Sequence, residues 1–205
     1  MRPHRRRAPV ATLALLLTVA SCSSAAADEA ERIVELLALA PGAEVADVGA
    51  GDGRWAVEIA RRVGPEGRVF ATEIEAEMLE KIEKRARNDM LANVTAVLGD
   101  QESTGLPDGC CDAALLRLVY HHFEDPEVMR ASLWRALRPG GRLAIIDIVP
   151  QESWRELPGV PDRGGHGVTP DEVVADLESS GFELLSRRSE WNGDPDRYAL
   201  LFVRP

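Results

Sequence analysis

The densest run of chemistry-bearing residues in this chain is Val45-Ala46-Asp47-Val48-Gly49-Ala50-Gly51-Asp52-Gly53-Arg54-Trp55. Three glycines at spacing two follow a short apolar stretch and precede an amphipathic one. Glycine lets the backbone turn where other residues clash, and lets it approach a ligand closely. A helix starting after Gly53 would aim its free N–H groups at the same place. A dinucleotide site prefers G-x-G-x-x-G. Here the spacing is G-x-G-x-G, with Asp47 before it and Asp52 inside it. Acids there repel a pyrophosphate and favour a ligand that is cationic or rich in hydroxyls. A second concentration is Arg117-Leu118-Val119-Tyr120-His121-His122-Phe123, and a fourth histidine, His166, stands in Arg163-Gly164-Gly165-His166-Gly167. A histidine titrating near neutrality can deprotonate a hydroxyl or thiol.

Alternating strands and helices must position these residues. Spacing predicts a helix from Asp28 through Leu39, with Ile33, Leu36, Leu37 and Ala40 on one face. Glu44–Val48 reads as a strand broken at Gly49, and Trp55–Val63 as a helix stopped by Gly64-Pro65. Strand Arg68–Thr72, helix Glu75–Leu91 and strand Val94–Leu98 follow. Asp112–Val119 is almost wholly apolar, as a central strand covered on both faces would be. Asp125-Pro126 starts a helix that runs to Arg138 and ends at Pro139-Gly140-Gly141. Arg142–Val149 is the fifth strand, and an irregular loop covers Pro150–Val168. A capped helix opens at Thr169-Pro170-Asp171-Glu172 and closes at Gly181. Strands Phe182–Glu190 and Tyr198–Val203 form a terminal hairpin around Asn192-Gly193-Asp194-Pro195. The expectation is an α/β fold: a doubly wound, mostly parallel seven-stranded sheet with an antiparallel C-terminal hairpin.

With these motifs in this order, the chain over 28–205 resembles a class I S-adenosylmethionine-dependent methyltransferase with a Rossmann-like fold. The resemblance implies S-adenosyl-L-methionine as cofactor. It places Gly49, Gly51 and Gly53 in the loop that cradles the cofactor's amino acid and ribose parts, with Asp47 as the acid before it. Glu73, closing Ala71-Thr72-Glu73, matches the acid that binds both ribose hydroxyls, and one carboxylate can accept from two vicinal hydroxyls. Asp100 in Leu98-Gly99-Asp100, followed by Gln101, matches the acid that contacts the adenine amino group. Pro107–Ala113 and Leu137–Leu143 resemble the family's leads into its fourth and fifth strands.

Active sites in such sheets lie outside the carboxyl ends of the strands. That rule makes His121 and His122 the candidate catalytic residues, and Arg117, Tyr120 and His166 candidate lining of the acceptor pocket. The 150–168 loop would cover that pocket. Cys110 and Cys111 precede the fourth strand, at the opposite edge. They read as a small buried residue and its neighbour, which argues against a cysteine-based metal or arsenic site. No motif requires a metal. Trp154 and Trp191 read as packing or lid residues, and Lys81–Arg87 as a solvated helix face of ion pairs. Asn-Pro-Pro-Tyr is absent near the fourth strand, which lowers the weight of amine methylation on nucleobases or Gln side chains.

Composition narrows the field further. The chain has 205 residues, 45% hydrophobic and 28% charged, a globular balance. Its net charge of −10 and 5% aromatics leave neither the basic surface nor the stacking platforms that nucleic acids need. Three cysteines make no disulfide framework. Residues 1–22 hold four arginines and no acid. Arg5-Arg6-Arg7 precede an apolar run, Ala8–Ala20, which is too short for a bilayer of roughly 30 Å. A basic start, a short apolar middle and small residues after it are the signal-peptide pattern. Val19-Ala20-Ser21-Cys22 resembles a bacterial lipoprotein cleavage box. The expected organisation is therefore a signal peptide with lipobox over 1–22, a short tether over 23–27 and the methyltransferase domain over 28–205. Membrane association would be through lipid on Cys22 only, with the domain in the cell envelope. The alternative is a cytoplasmic enzyme with a mis-assigned start.

Two other functions compete with methyl transfer to a small-molecule acceptor. One is a non-catalytic, envelope-anchored binding module on a methyltransferase scaffold. The complete set of Gly49, Gly51, Gly53, Glu73 and Asp100 argues against it. The other is a nicotinamide-dependent oxidoreductase, disfavoured by the glycine spacing and the terminal hairpin.

Overall fold

The structure, a computed structural model, describes residues 27–151 and 166–205. The Cys22 segment, Trp154 and Arg163-Gly164-Gly165 lie outside the described residues. A helix, α1, covers 27–37. Then come β1 (Glu44–Val48), α2 (Arg54–Val63), β2 (Arg68–Glu73), α3 (Ala76–Asn88), β3 (Val94–Leu98) and β4 (Cys111–Arg117). A 3-10 turn over Tyr120–His122 precedes α4 (Pro126–Ala136), β5 (Leu137–Ile148), α5 (Pro170–Ser179), β6 (Glu183–Arg188) and β7 (Arg197–Val203). The seven strands lie in the order β3-β2-β1-β4-β5-β7-β6. β1 to β5 run parallel, and β7 is antiparallel to both of its neighbours. The expected sheet is the observed one.

Apolar periodicity explains both layers. Ile33 and Leu37 of α1 pack with Ile59 and Val63 of α2 on one face of the sheet, over Val45 and Leu115. Met129 and Leu133 of α4 pack with Val173 and Leu177 of α5 on the other face, over Leu143 and Ile145. Burial of each such side chain contributes about 1.5–3 kcal/mol. The caps are as the sequence indicates: Asp125 accepts from Val128 N–H, and Thr169 from Glu172 N–H at 3.2 Å. Among the described residues, no helix is long and apolar enough to cross a membrane.

Several boundaries differ from expectation. β4 stops at Arg117 rather than Val119, because Leu118 takes a left-handed φ of 58°. That turn aims Tyr120, His121 and His122 away from the strand axis. α3 ends at Asn88, since Met90 has φ 55°. Pro139-Gly140-Gly141 lies within β5 rather than before it. Leu137 pairs with Cys111 and Arg142 with Ala113, so the stretch between them is a bulge. The polarity of the sheet nonetheless puts Gly49, Glu73, Gly99 and Leu118 all at or just past the carboxyl ends of strands. β1 and β4 are the switch point, where the winding reverses and ligands bind in such sheets.

Candidate functional site

The three loop glycines do different work. All have positive φ: 69° at Gly49, 56° at Gly51 and 78° at Gly53. A Cβ on Gly49 would stand 2.5 Å from Val119 Cγ2, and one on Gly53 would stand 3.0 Å from Ile82 Cγ1. Those two glycines let the loop pack against the β4 exit and against α3. A Cβ on Gly51 would meet nothing within 4 Å. Gly51 is therefore the glycine whose open side faces space a ligand could fill. The loop is pinned by Gly49 and Ala50 N–H groups, both donating to Thr72 O at 3.0 Å. Asp52 is ion-paired to Arg85 of α3, so it shapes the loop.

Glu73 ends β2 and faces that loop. Its Oε1 accepts from Gly51 N–H at 2.7 Å, and its Oε2 from Ile74 N–H at 3.0 Å. The adjacent strand places Asp100 beside it, since Gly99 N–H donates to Glu73 O at 2.9 Å. Asp100 accepts from Glu102 N–H at 2.9 Å, closing a turn that exposes its carboxylate. Gly49, Glu73, Asp100 and Gln101 line one cleft of about 480 Å³ together with Val119, His122 and Met129.

Asp47 points the other way. Alternation along β1 turns Val48 toward the cleft and Asp47 toward α2. The Asp47 side chain is buried, and its Oδ2 has no hydrogen-bond partner among the described residues. Burial raises its pKa from 3.8 to about 7, opposed by the Arg117 charge and assisted by Glu73. An orphaned, buried carboxylate oxygen fits a cationic group from a ligand. Arg117 does not stand free in an acceptor pocket. Its Nε and Nη2 donate to Glu29 at 2.9 and 3.2 Å, and its guanidinium lies 4.4 Å over the Trp55 ring. Trp191 Nε1 donates to the same Glu29 carboxylate at 2.9 Å. This buried cluster ties α1 to the sheet. Trp191 thus packs, as expected.

The histidines lie on the other side of β4. His121 is 3% exposed. Its Nδ1 is 2.5 Å from Asp147 Oδ1, and its backbone N–H donates to Asp147 Oδ2 at 3.3 Å. Asp147, at the end of β5, is fully buried and also accepts from Ile148 N–H at 2.8 Å. His121 Nε2 faces His166 Nε2 at 3.1 Å. His122 stacks beside His121 with ring centroids 4.1 Å apart. His122 has an open face on the cleft, yet partial withdrawal from water lowers its pKa to about 4, assisted by His121 and His166. It is therefore neutral at pH 7. Burial likewise lowers the pKa of His166, with His121 adding to the effect. One ring nitrogen from each of the three histidines lies within 4.8 Å of the others.

Tyr120 leaves the candidate pocket. It is fully buried, and its hydroxyl donates to Asp176 at 2.7 Å while accepting from Arg130 at 3.2 Å. Burial raises its pKa, with Asp176 adding to the rise. It fastens the turn after β4 to α5. Cys111 is buried and Cys110 half-buried, at the edge opposite the site. On α3, Lys81–Glu77 and Arg87–Glu83 are exposed ion pairs. The fold thus gathers Gly49, Glu73, Asp100, Gln101, His121, His122 and His166 at one edge. Arg117 and Tyr120 are instead held by Glu29 and by Asp176, and Gly53 packs closely against α3. Asp147 and Glu29 were not singled out from sequence. Asp147 sits in the apolar strand Ala144-Ile145-Ile146-Asp147-Ile148, and only a buried acid in such a run could have signalled it. The sequence offers no spaced metal motif, whereas the structure brings together histidines 45 residues apart.

Residues 46–145 match the family described as "Methyltransferase domain". Nocamycin O-methyltransferase of Saccharothrix syringae is 32% identical over 149 residues, covering 71% of this chain and 53% of that protein. Arsenite methyltransferase of Halobacterium salinarum is 27% identical over 173 residues, covering 78% of this chain and 44% of that protein. The chain spans about half the length of these relatives. A SAM dependent methyltransferase from Aquifex aeolicus superposes with a TM-score of 0.73 at 23% identity, over 86% of this chain and 90% of that one. The [4+2]-cyclase SpnF superposes at 0.72 with 20% identity, over 87% of this chain and 81% of that one. Fold and family match agree: residues 46–145 match a methyltransferase-domain family, on a fold shared with a SAM dependent methyltransferase. Family and fold imply S-adenosyl-L-methionine as cofactor.

Proposed function

We propose that this protein transfers a methyl group from S-adenosylmethionine to a small-molecule acceptor. One observation carries the reading: a single cleft of about 480 Å³ is lined by Gly49, Glu73, Asp100 and Gln101 and also by His122. The acids expected to hold the cofactor and the imidazole expected to meet the acceptor therefore share one cavity. When bound, S-adenosylmethionine would supply an electrophilic methyl on a sulfonium. Glu73 would accept the ribose hydroxyls and Asp100 the adenine amino group. Asp47 lies outside the lining of this cleft and takes no part in the reading. The cleft would bring the two reactants together, which is most of what such an enzyme must do. Relatives named for O-methylation and for C-methylation share the scaffold, so the acceptor atom is a property of the pocket. Calorimetry of the full-length chain tests the reading. S-adenosylhomocysteine or S-adenosylmethionine should bind with micromolar-scale affinity. No heat and no thermal shift with either would overturn it.

The N-terminal pattern supports a second, separable reading. Arg5-Arg6-Arg7, the apolar run Ala8–Ala20 and Cys22 favour export and lipid anchoring. An envelope-anchored binding module on this scaffold is what would remain if cofactor binding failed.

A further inference from the structure

We propose that His121, His122 and His166 form a mononuclear divalent-metal site of the zinc class, with its open position toward the cleft. Three imidazoles from two separate segments converge so that one ring nitrogen of each lies within 4.8 Å of the others. The 3.1 Å between the two Nε2 atoms of His121 and His166 is close to the separation of tetrahedral ligands, about 3.4 Å for metal–nitrogen bonds near 2.1 Å. His122, the exposed member, has room to close the remaining distance.

Asp147 supplies the support a metal-bound histidine needs. It receives His121 Nδ1 at 2.5 Å, so Nε2 is left with its lone pair directed at His166. A buried carboxylate behind a ligating imidazole fixes the ring and raises its basicity. Asp147 is itself held by two backbone N–H groups, Ile148 at 2.8 Å and His121 at 3.3 Å. An all-imidazole donor set suits zinc, cobalt, nickel or copper and does not suit magnesium or calcium, which require oxygen. Three protein ligands with a fourth position open is the arrangement of reactive rather than structural zinc sites. His122 lines the cleft, so that position borders the space beside Glu73 and Asp100. An acceptor bound there by an oxygen would be held next to the cofactor. The metal's role with the acceptor rests on the methyl-transfer reading, whereas metal binding itself does not.

The test uses the full-length chain without a polyhistidine tag, stripped with a chelator. Zn²⁺ is titrated in competition with a chromogenic chelator, and Co²⁺ is added to a second sample. The proposal expects one equivalent bound and visible Co²⁺ absorption of tetrahedral type. His122→Ala lies at an exposed position and should fold, and it and His166→Ala should each weaken Zn²⁺ at least tenfold. Asp147→Asn should weaken Zn²⁺ about 10–100-fold and shift the Co²⁺ bands. His4, Cys22, Cys110 and Cys111 stand elsewhere in the chain, so these variants decide which residues bind. Unchanged affinity in His122→Ala and His166→Ala, or no stoichiometric binding by the native chain, would overturn the site. S-adenosylhomocysteine binding is measured on the same samples. Cofactor binding without metal overturns this inference alone, and metal binding without cofactor overturns the methyl-transfer reading alone.

Discussion

Glu29 and Arg117, 88 residues apart, form a bidentate ion pair that joins α1 to the end of β4. The Trp191 indole donates to the same carboxylate, and Trp55 lies under the guanidinium. Breaking a buried pair leaves a charge without compensation. Glu29→Ala should therefore cost about 3–5 kcal/mol, and more than Glu29→Gln, which keeps the Trp191 bond. Urea denaturation of both variants checks the order. Equal losses would show that the charge is immaterial.

Asp47 gives the ligand-free protein a defined pH dependence. Its folded pKa is about 7 against 3.8 in the unfolded chain. A raised acid stabilises the fold fully below the unfolded value, and that contribution is lost as pH rises toward the folded one. The displacement corresponds to at most on the order of 4 kcal/mol between pH 4 and 7. Asp47→Asn should thus gain stability relative to the wild type across that window. Parallel stability curves for the two proteins from pH 4 to 7 would refute the assignment.

Gly49 and Gly51 should separate packing from ligand contact. Gly49→Ala combines strain at positive φ with a clash on Val119, and should cost about 2–5 kcal/mol. Gly51→Ala should cost about 1–2 kcal/mol from strain alone. It should nevertheless lose more cofactor affinity than that figure implies, since its Cβ enters open space beside Glu73. Thermal melts with and without S-adenosylhomocysteine distinguish the two.

Glu73→Gln keeps an oxygen for Gly51 N–H but removes the charge. Stability should hold within about 1 kcal/mol, while affinity for S-adenosylhomocysteine falls by about tenfold or more, as for charge-assisted hydrogen bonds. Undiminished affinity would place the ribose elsewhere.

For location, the expected outcome is that the full-length chain partitions with membranes and carries acyl chains on Cys22, and that Cys22→Ser abolishes this. Mass spectrometry of native protein decides it. An unprocessed Met1 start in the soluble fraction would favour the cytoplasmic alternative.

Most of the sheet was legible because apolar runs and glycine stops are local signals. The positions of Glu73 and Asp100 were legible for the same reason: Glu73 ends β2 and Asp100 stands two residues past β3. What escaped depended on contacts between distant segments. Arg117 and Tyr120 sit beside the histidines in sequence, yet a left-handed Leu118 and strand alternation send them to Glu29 and Asp176. No spacing rule links His166 to His121, and an acid inside an apolar strand looks like an edge residue until the fold buries it.

The chain leaves β5 through Gln151, whose N–H donates to His166 O at 3.0 Å, so those two residues pair across the intervening segment. His166 is therefore registered by main-chain pairing to the end of β5, so side-chain substitutions at Gln151 should leave the imidazole cluster in place.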